Sequence, residues 1–379
     1  MKVLHSGTLD VNAGGPAMST YYTLYGLRQQ GVNAEIIMYP LSATGKLKGE
    51  NVPVHYAKAP WEHKLAYSPS LKKEIELLGD YDIYHAQGIW QYPTYAIIDI
   101  AHKKKKPYLI TPRGMLYPQD IQKSNQFLKK ISLKLRLLND FNHAACVQVT
   151  CVEEMLHCRK LGITAPIAII PNPIEIKNYT EKKKDKIFRL GYLGRLSPRK
   201  NVESLIYAFH ELKDITTDAE LLIIGGGDEK YEKFLKEEVK KYNLNNVKFT
   251  GFLSGEEKDK AIASLSVLAM PSEFENLGNV ILEGLIRGIP CIATKGSPWE
   301  ELENHQCGWW IDYNQGAITK TIKKAMELKD EDLHLMGQNG YKLIINKYSV
   351  EAIAKSMCSL YKAILDNNLK SIDFCYFNE

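Results

Sequence analysis

The sequence predicts an α/β chain of two Rossmann-like domains, each built on a parallel sheet. Three observations carry this. Short apolar runs alternate with amphipathic helical segments from the first residues to beyond residue 310, the pattern of repeated βαβ units. The alternation pauses once, over Pro171-Asn-Pro-Ile and Tyr179-Thr-Glu-Lys-Lys-Lys-Asp185, a polar stretch containing Pro and Lys, and then begins again. A length of 379 residues suffices for two separate cores. The expected boundaries are 1–172 for the first domain, 173–186 for a linker, 187–350 for the second domain and 351–379 for a closing helical segment.

The first unit reads strand, glycine loop, helix, strand. Lys2-Val-Leu-His5 is the strand, Gly7 to Gly15 the loop, Pro16 to Gln30 the helix and Ala34-Glu-Ile-Ile-Met38 the next strand. Pro16 suits a first helical turn, where its missing N–H costs nothing, and Gly14-Gly15 let a ligand approach the backbone. The spacing is not GxGxxG and no acidic residue ends the second strand, which disfavours a dinucleotide. Asp82-Ile-Tyr-His85 leads into Gln87-Gly-Ile-Trp90, a helix to about Lys105, and the strand Pro107-Tyr-Leu-Ile-Thr111. Pro112-Arg-Gly114 turns into one long helical region over 119–140. Strands at Ala145–Val149 and Ala168–Ile170 flank a helix carrying Glu153 and Glu154. The second series runs through Phe188–Leu193, Glu220–Ile224, Val247–Phe249, Ser266–Met270, Pro290–Ala293 and Cys307–Ile311, and a helix over Val350–Leu365 closes the chain.

Composition excludes several classes. A net charge of +5 is too mild to imply nucleic acid. No run approaches the roughly 18–20 apolar residues of a membrane span, and Lys2-Val-Leu-His5 lacks the apolar core of a signal peptide. Seven cysteines without a CxxC pair argue against a disulfide framework or zinc site. A cytosolic protein is expected. Asp80-Tyr-Asp82 matches the DxD of metal-dependent transferases, but it starts a strand where those sites end one, so it reads as a turn and no metal is expected. Phe127 to Leu138 alternates Leu/Ile with Lys/Arg at helical spacing; such a face lies on an anionic membrane or belongs to a half-buried helix.

The most informative stretch is Pro271-Ser-Glu-Phe-Glu-Asn-Leu-Gly-Asn-Val-Ile-Leu-Glu-Gly-Leu-Ile-Arg-Gly288. After a buried strand, a loop carries Glu275 and Gly278, and Glu283 follows about a turn into a helix. A helix start suits a phosphate, whereas two carboxylates beside it suit sugar hydroxyls. Gly194-Arg195-Leu-Ser-Pro-Arg199-Lys200-Asn201 follows another strand, where Arg195 and Lys200 could meet a diphosphate or form a solvated basic loop. Gly225-Gly-Gly227 either brings N–H groups to a nucleotide or is a plain strand–helix turn. Arg113 could face an anionic substrate or make a surface salt bridge.

On these residues the whole chain resembles the retaining glycosyltransferases of the GT-B fold, family 4 (glycosyl transferases group 1), which use nucleotide sugars. The most specific element is Glu275-x7-Glu283 within Pro-Ser-x-x-Glu…Glu-Gly…Gly-x-Pro; Ile170-Pro171-Asn172 supports it. Trp90-Gln91…Thr111-Pro-Arg-Gly-Met-Leu116, with Pro298-Trp-Glu-Glu301 and Gly308-Trp-Trp310, looks like members that build bacterial surface polysaccharides: capsule, exopolysaccharide, lipopolysaccharide O-antigen. The resemblance implies two domains facing across a cleft, with the last helix crossing back to the first. It implies Glu275 at the donor sugar, Glu283 at the ribose, and N–H groups of Asn276, Leu277 and Gly278 at the sugar or diphosphate. Arg195 and Lys200 would neutralise the diphosphate, with Gly14, Gly15, Gly194 and Gly225 beside it. Arg195, Lys200, Glu275 and His85 are then the catalytic candidates, and Gln87 and Arg113 lie on the acceptor side. Many relatives carry His-x-His where this chain has His85 and Gln87, and Pro-Asn-Gly where it has Pro171-Asn172-Pro173; a glutamine cannot shuttle a proton. The expected activity moves a sugar from a UDP- or GDP-sugar to a saccharide or lipid-linked acceptor, with no cofactor or metal. It would act in the cytoplasm, at the inner face of the membrane. A nucleotide-sugar epimerase and a non-catalytic sugar-nucleotide-binding partner are the alternatives.

Overall fold

A computed structural model describes residues 1–10, 13–41, 51–62, 65–122, 125–176, 187–216 and 218–378. The chain divides into two compact units, Met1–Glu175 with Ser349–Glu379, and Ile176–Tyr348. Residues 177–186 of the expected linker, with the Lys182–Lys184 run, lie outside the described residues, as do residues 11 and 12 of the first glycine loop.

The first unit begins β1 (Lys2–Ser6), α1 (Gly15–Gln29), β2 (Asn33–Met38), β3 (Val54–Tyr56), α2 (Leu71–Leu77), β4 (Ile83–Gln87), α3 (Tyr92–Lys103) and β5 (Tyr108–Thr111). It continues through α4 (Pro118–Gln122), α5 (Gln126–Ser132), α6 (Leu138–Asn142), β6 (Cys146–Val149), α7 (Val152–Lys160) and β7 (Ile167–Ile169). These strands are all parallel, in the order β7-β6-β5-β4-β1-β2-β3. Successive strand residues face opposite sides, and both sides are covered. Leu4, Tyr84, Ala86, Ile110 and Val147 enter one core, while Val3, Ile83, Leu109 and Cys146 enter the other. Burial on both faces is why the strands read as unbroken apolar runs.

The second unit holds β8 (Phe188–Leu193), α8 (Glu203–Glu211), β9 (Ala219–Ile224), α9 (Glu229–Lys241), β10 (Val247–Gly251), α10 (Gly255–Ala263), β11 (Val267–Met270) and α11 (Asn279–Leu285). Then come β12 (Cys291–Thr294), α12 (Glu301–Asn304), β13 (Gly308–Ile311), α13 (Gln315–Met326) and α14 (Asp330–Leu343). Its sheet is parallel throughout, in the order β10-β9-β8-β11-β12-β13. That is the doubly wound order, whose direction reverses between β8 and β11.

The chain then returns to the first unit. Ser349 caps α15 (Val350–Leu365) by accepting a hydrogen bond from the Ala352 N–H. Ile353, Met357, Leu360, Tyr361 and Ile364 are buried in the core that α1 shares. Gly26 of α1 makes the contact close: a Cβ there would lie 2.8 Å from Val350 Cγ1 and 2.9 Å from the Val350 carbonyl oxygen. β14 (Cys375–Tyr376) pairs antiparallel with β7 and ends the sheet.

Two departures from the sequence reading follow from local geometry. β3 and β14 are edge strands too short to show a period. The region expected as one helix over 119–140 is divided, with Asn125 left-handed at φ 49° and a π-helical turn over Leu133–Leu137. Leu133, Leu137 and Phe141 point inward, whereas Phe127, Leu128 and Leu135 stand 75%, 61% and 77% exposed.

Replacing Gly26 with Val should cost about 1–3 kcal/mol through overpacking against α15. Thermal melting and limited proteolysis should show a lower melting temperature and earlier cleavage near residue 349. A variant as stable as the parent would contradict the close packing.

Candidate functional site

In the second unit the candidate residues gather at the carboxyl ends of β8 and β11, the switch point where open α/β sheets bind ligands. The segment after β8 forms a short 3₁₀ turn, Pro198–Lys200, closed by left-handed Asn201 at φ 51°. It is stitched to the segment after β11: the Glu273 N–H donates to Arg199 O at 2.9 Å and Asn201 Nδ2 donates to Pro271 O at 3.3 Å. This brings Lys200 onto Glu275, and Lys200 Nζ donates to Glu275 Oε1 as a partly buried ion pair. Glu275 is held on its own side by its N–H, which donates to Gly296 O at 2.8 Å. Arg195 is exposed on the same rim and, among the described residues, makes no ion pair.

Gly278 caps α11 in the left-handed region, φ 73°, where a Cβ would fall 2.6 Å from Met270 Sδ. Asn276 and Gly278 are partly exposed, but the Leu277 side chain is buried. The Leu277 carbonyl accepts a hydrogen bond from Trp299 Nε1, so only its backbone N–H remains a candidate. Trp299 is fully buried and anchors the loop from below; Trp310 Nε1 donates to Ser297 O at 2.7 Å beside it. Glu283 pairs with Lys258 Nζ at 2.6 Å, both partly exposed. Lys258 was missed by the sequence reading, since it lies on α10, outside any motif.

Gly225 needs a correction. Its N–H donates to Gly251 O at 2.9 Å and so is not offered to a ligand. Glycine is required there because a Cβ would lie 1.9 Å from Gly194 O. The loops after β8 and β9 touch backbone to backbone, with Leu196 N–H donating to Gly226 O and Asp228 N–H to Leu196 O.

The first unit brings a second set to the carboxyl ends of β1 and β4, beside the start of α1. Gly14 and Gly15 are exposed there, Gly14 at φ 72° with open space around it. Arg113, itself at φ 54°, directs all of its N–H groups to neutral acceptors. Nε and Nη2 donate to Gln87 Oε1 at 3.0 and 2.7 Å, Nη2 also to Thr20 Oγ1, and Nη1 to Ser19 Oγ and Asn172 Oδ1. Burial lowers its pKa to about 10, and the Glu154 carboxylate opposes that shift. Among the described residues it makes no surface salt bridge, the alternative weighed for it.

His85 also needs a correction as a catalytic candidate. Its ring is fully buried, with Nε2 2.7 Å from Thr111 Oγ1 and Nδ1 2.7 Å from Tyr361 Oη. Burial and the neighbouring His5 and Arg113 hold its pKa well below the ordinary value. With both nitrogens engaged behind Gln87, it has no face for substrate. His5, also fully buried and missed by the sequence reading, is pushed down to about 3 by burial and by Arg113.

Asp80 pairs with Lys104 and Asp82 accepts from the Lys2 N–H, both at 2.8 Å, in the segment between α2 and β4. All seven cysteines are buried free thiols.

Residues 173–343 match the family described as "Glycosyl transferases group 1", and residues 14–173 match "Glycosyl transferase 4-like domain". The chain belongs to the group 1 (family 4) glycosyltransferases and has the GT-B fold. A Corynebacterium glutamicum relative, a GDP-mannose-dependent monoacylated alpha-(1-6)-phosphatidylinositol monomannoside mannosyltransferase, is 26% identical over 216 residues, 51% of this chain and 55% of its own. Curated relatives are matched over only 25–55% of their length. Among solved structures, Anabaena HepE in complex with UDP has a TM-score of 0.77 at 19% identity, covering 96% of this chain and 100% of its own; it is also known with UDP-glucose. WaaG, a glycosyltransferase involved in lipopolysaccharide biosynthesis, has a TM-score of 0.69 at 14% identity, over 95% and 99%.

The two buried rings predict an acid sensitivity. A histidine held neutral in the fold but free to charge when unfolded contributes stability that is complete above its unfolded pKa, 6.5, and is lost as pH falls below it. The His5 ring should cost about 2 kcal/mol by pH 5, and His85 should add to the loss in the same direction. Urea titrations of the full chain between pH 7.5 and 5 should show this loss, and a His85→Gln variant should show a shallower slope. Constant stability across that range would contradict it.

Proposed function

We propose that the protein is a retaining, metal-independent glycosyltransferase that binds a nucleotide-diphospho-sugar, most simply a UDP- or GDP-sugar, on its second unit. The observation that carries this is the meeting of Lys200 and Glu275, 75 residues apart, at the switch point of that sheet. The two charges satisfy each other directly. A diphosphate would draw Lys200 away, with Arg195 beside it, and release Glu275 to accept hydrogen bonds from the sugar's hydroxyls. Glu283 would take the ribose hydroxyls, sharing its carboxylate with Lys258.

In the reaction the bond from the anomeric carbon to the phosphate oxygen breaks, and a bond to the acceptor oxygen forms on the same face. The acceptor's proton passes to the departing diphosphate, so the leaving group serves as base. The barrier then falls chiefly by stabilising charge on that diphosphate, the work of Arg195 and Lys200. Neither buried histidine takes part.

Gln87 and Arg113 stand on the acceptor side, with a saccharide or lipid-linked saccharide as substrate, in the building of a surface polysaccharide. The names of WaaG and of the Corynebacterium mannosyltransferase support that class. Membrane contact is part of the proposal. Phe127, Leu128, Ile131 and Leu135 are exposed, with exposed Lys130 and Lys134 among them. Apolar side chains fringed by lysine suit an anionic lipid surface, each cation adding about 1 kcal/mol.

The deciding experiment first screens UDP-, GDP-, ADP- and dTDP-sugars by thermal stabilisation, then follows nucleotide release with and without an acceptor pool. Acceptor-dependent release is expected, and Lys200→Ala should lower kcat about 100- to 1,000-fold with little change in melting temperature. Release without acceptor would favour an epimerase or hydrolase; binding without turnover would favour a silent partner subunit. For the membrane, a Phe127→Ser/Leu135→Ser variant should fold normally yet lose most of its co-sedimentation with phosphatidylglycerol vesicles. Equal sedimentation of variant and parent would remove the lipid contact.

A further inference from the structure

A single chain of hydrogen bonds runs through the first unit from the Arg113 guanidinium to a backbone carbonyl, and its chemistry leaves only one direction for the protons. At the far end Ile170 O can only accept, so Gln148 turns its Nε2–H group toward it at 2.9 Å. Gln148 Oε1 therefore accepts from Thr111 O–H at 2.8 Å. With its proton used, Thr111 Oγ1 accepts from His85, which must be protonated on Nε2. His85 Nδ1 is then a lone pair and takes the proton of Tyr361 O–H, 2.7 Å away. The Tyr361 oxygen in turn accepts from His5 Nε2–H at 3.2 Å. His5 Nδ1 is left as a lone pair, and Gln87 Nε2–H donates to it at 3.2 Å.

The other end gives the same answer independently. Arg113 has only donors, and two of them meet Gln87 Oε1. The Gln87 amide must therefore face its oxygen to Arg113 and its nitrogen to His5. Both ends agree along this chain, with one proton on each imidazole; the longer approach of Gln87 Nε2 to His85 Nε2, 3.4 Å, then sets two N–H groups side by side and carries no hydrogen bond. A second proton, on Nδ1, would set donor against donor at Tyr361 for His85 and at the Gln87 amide nitrogen for His5, and break the sequence.

We propose that Tyr361, carried by the C-terminal helix α15, is a positioning residue for the acceptor side: by accepting from His5 Nε2–H it keeps the His5 Nδ1 lone pair turned to the Gln87 amide nitrogen, so that the carboxamide, oriented by Arg113 at its oxygen, is also held at its nitrogen and keeps the Arg113 guanidinium in plane. This rests on reading Gln87 and Arg113 as the acceptor-side pair. Tyr361 is fully buried and touches no substrate. Its ring packs edge-on against both histidines, with centroids 6.4 Å from His5 and 6.0 Å from His85. Tyr361→Phe keeps that packing and removes only the hydroxyl that relays direction from His85 to His5. His5 would then lose the acceptor of its Nε2–H, and the Gln87 carboxamide would be held firmly only at its oxygen, by Arg113.

The test has two independent parts. In the parent protein, imidazole ¹⁵N spectra of the full chain should show His5 and His85 each as the Nε2–H tautomer; a protonated Nδ1 on His5 overturns the proposal whatever the enzyme's activity. In Tyr361→Phe, His5 should lose its single tautomer. The KM for acceptor should rise about 3- to 10-fold, as expected for one net hydrogen bond, with KM for donor within 2-fold. Unchanged acceptor KM would also overturn it, even if the melting temperature falls, since a merely structural role would move stability alone. Failure of the parent to transfer sugar at all would remove the acceptor reading beneath it. That outcome is distinguishable, because the tautomers are read without turnover.

Discussion

The Lys200–Glu275 ion pair is the interaction on which the second unit's rim depends. Neither side chain sits in a regular helix or strand of any length, so neither is held by its own local structure. Lys200 is placed by a 3₁₀ turn and a left-handed Asn201, Glu275 by a loop fastened to Gly296 and undergirded by Trp299. The two segments are joined by backbone hydrogen bonds before the charges meet. A partly buried ion pair is weakly stabilising on its own, because the loss of hydration offsets much of the attraction. Its value is as a preformed pair of opposite charges that a ligand carrying both phosphate and hydroxyls can exchange with.

The same principle appears in the first unit with neutral groups. Arg113 is surrounded by a glutamine, two hydroxyls and an asparagine, not by a direct carboxylate partner. Its charge is therefore well hydrogen-bonded but little neutralised at short range, which keeps its field directed outward. The buried histidines behind it stay neutral because desolvation and Arg113 both oppose a further proton. Histidines at strand ends invite a catalytic reading. Here full burial makes them relays of orientation.

Much of this was legible in the chain. The strands and helices followed from apolar runs and their spacing, since sheets covered on both faces leave little room for polar residues. The helix at Val350–Leu365 and the strand at Phe188–Leu193 fall at the expected limits. The gathering of Arg195, Lys200 and Glu275 on one rim was also legible, because a short loop between a strand and a helix confines its residues to one end of the sheet. The π-helical turn at Leu133–Leu137 was not, because one extra residue in a turn changes which side chains face inward without changing composition.

Sequence alone determined the two parallel sheets, the family, and the residues that gather on each rim: Arg195, Lys200, Glu275 and Glu283 on one, Gln87 and Arg113 on the other. The sheets follow from local periodicity; the family and the two residue sets follow from motifs that resemble those of known members. Only the tertiary structure decided how those residues are used. It paired Lys200 with Glu275 and Glu283 with Lys258, committed the Gly225 N–H to Gly251, and buried His85 between Thr111 and Tyr361. Each of these contacts joins positions at least 25 residues apart, and hydrogen-bond partners at that separation are set by packing, which no local pattern encodes.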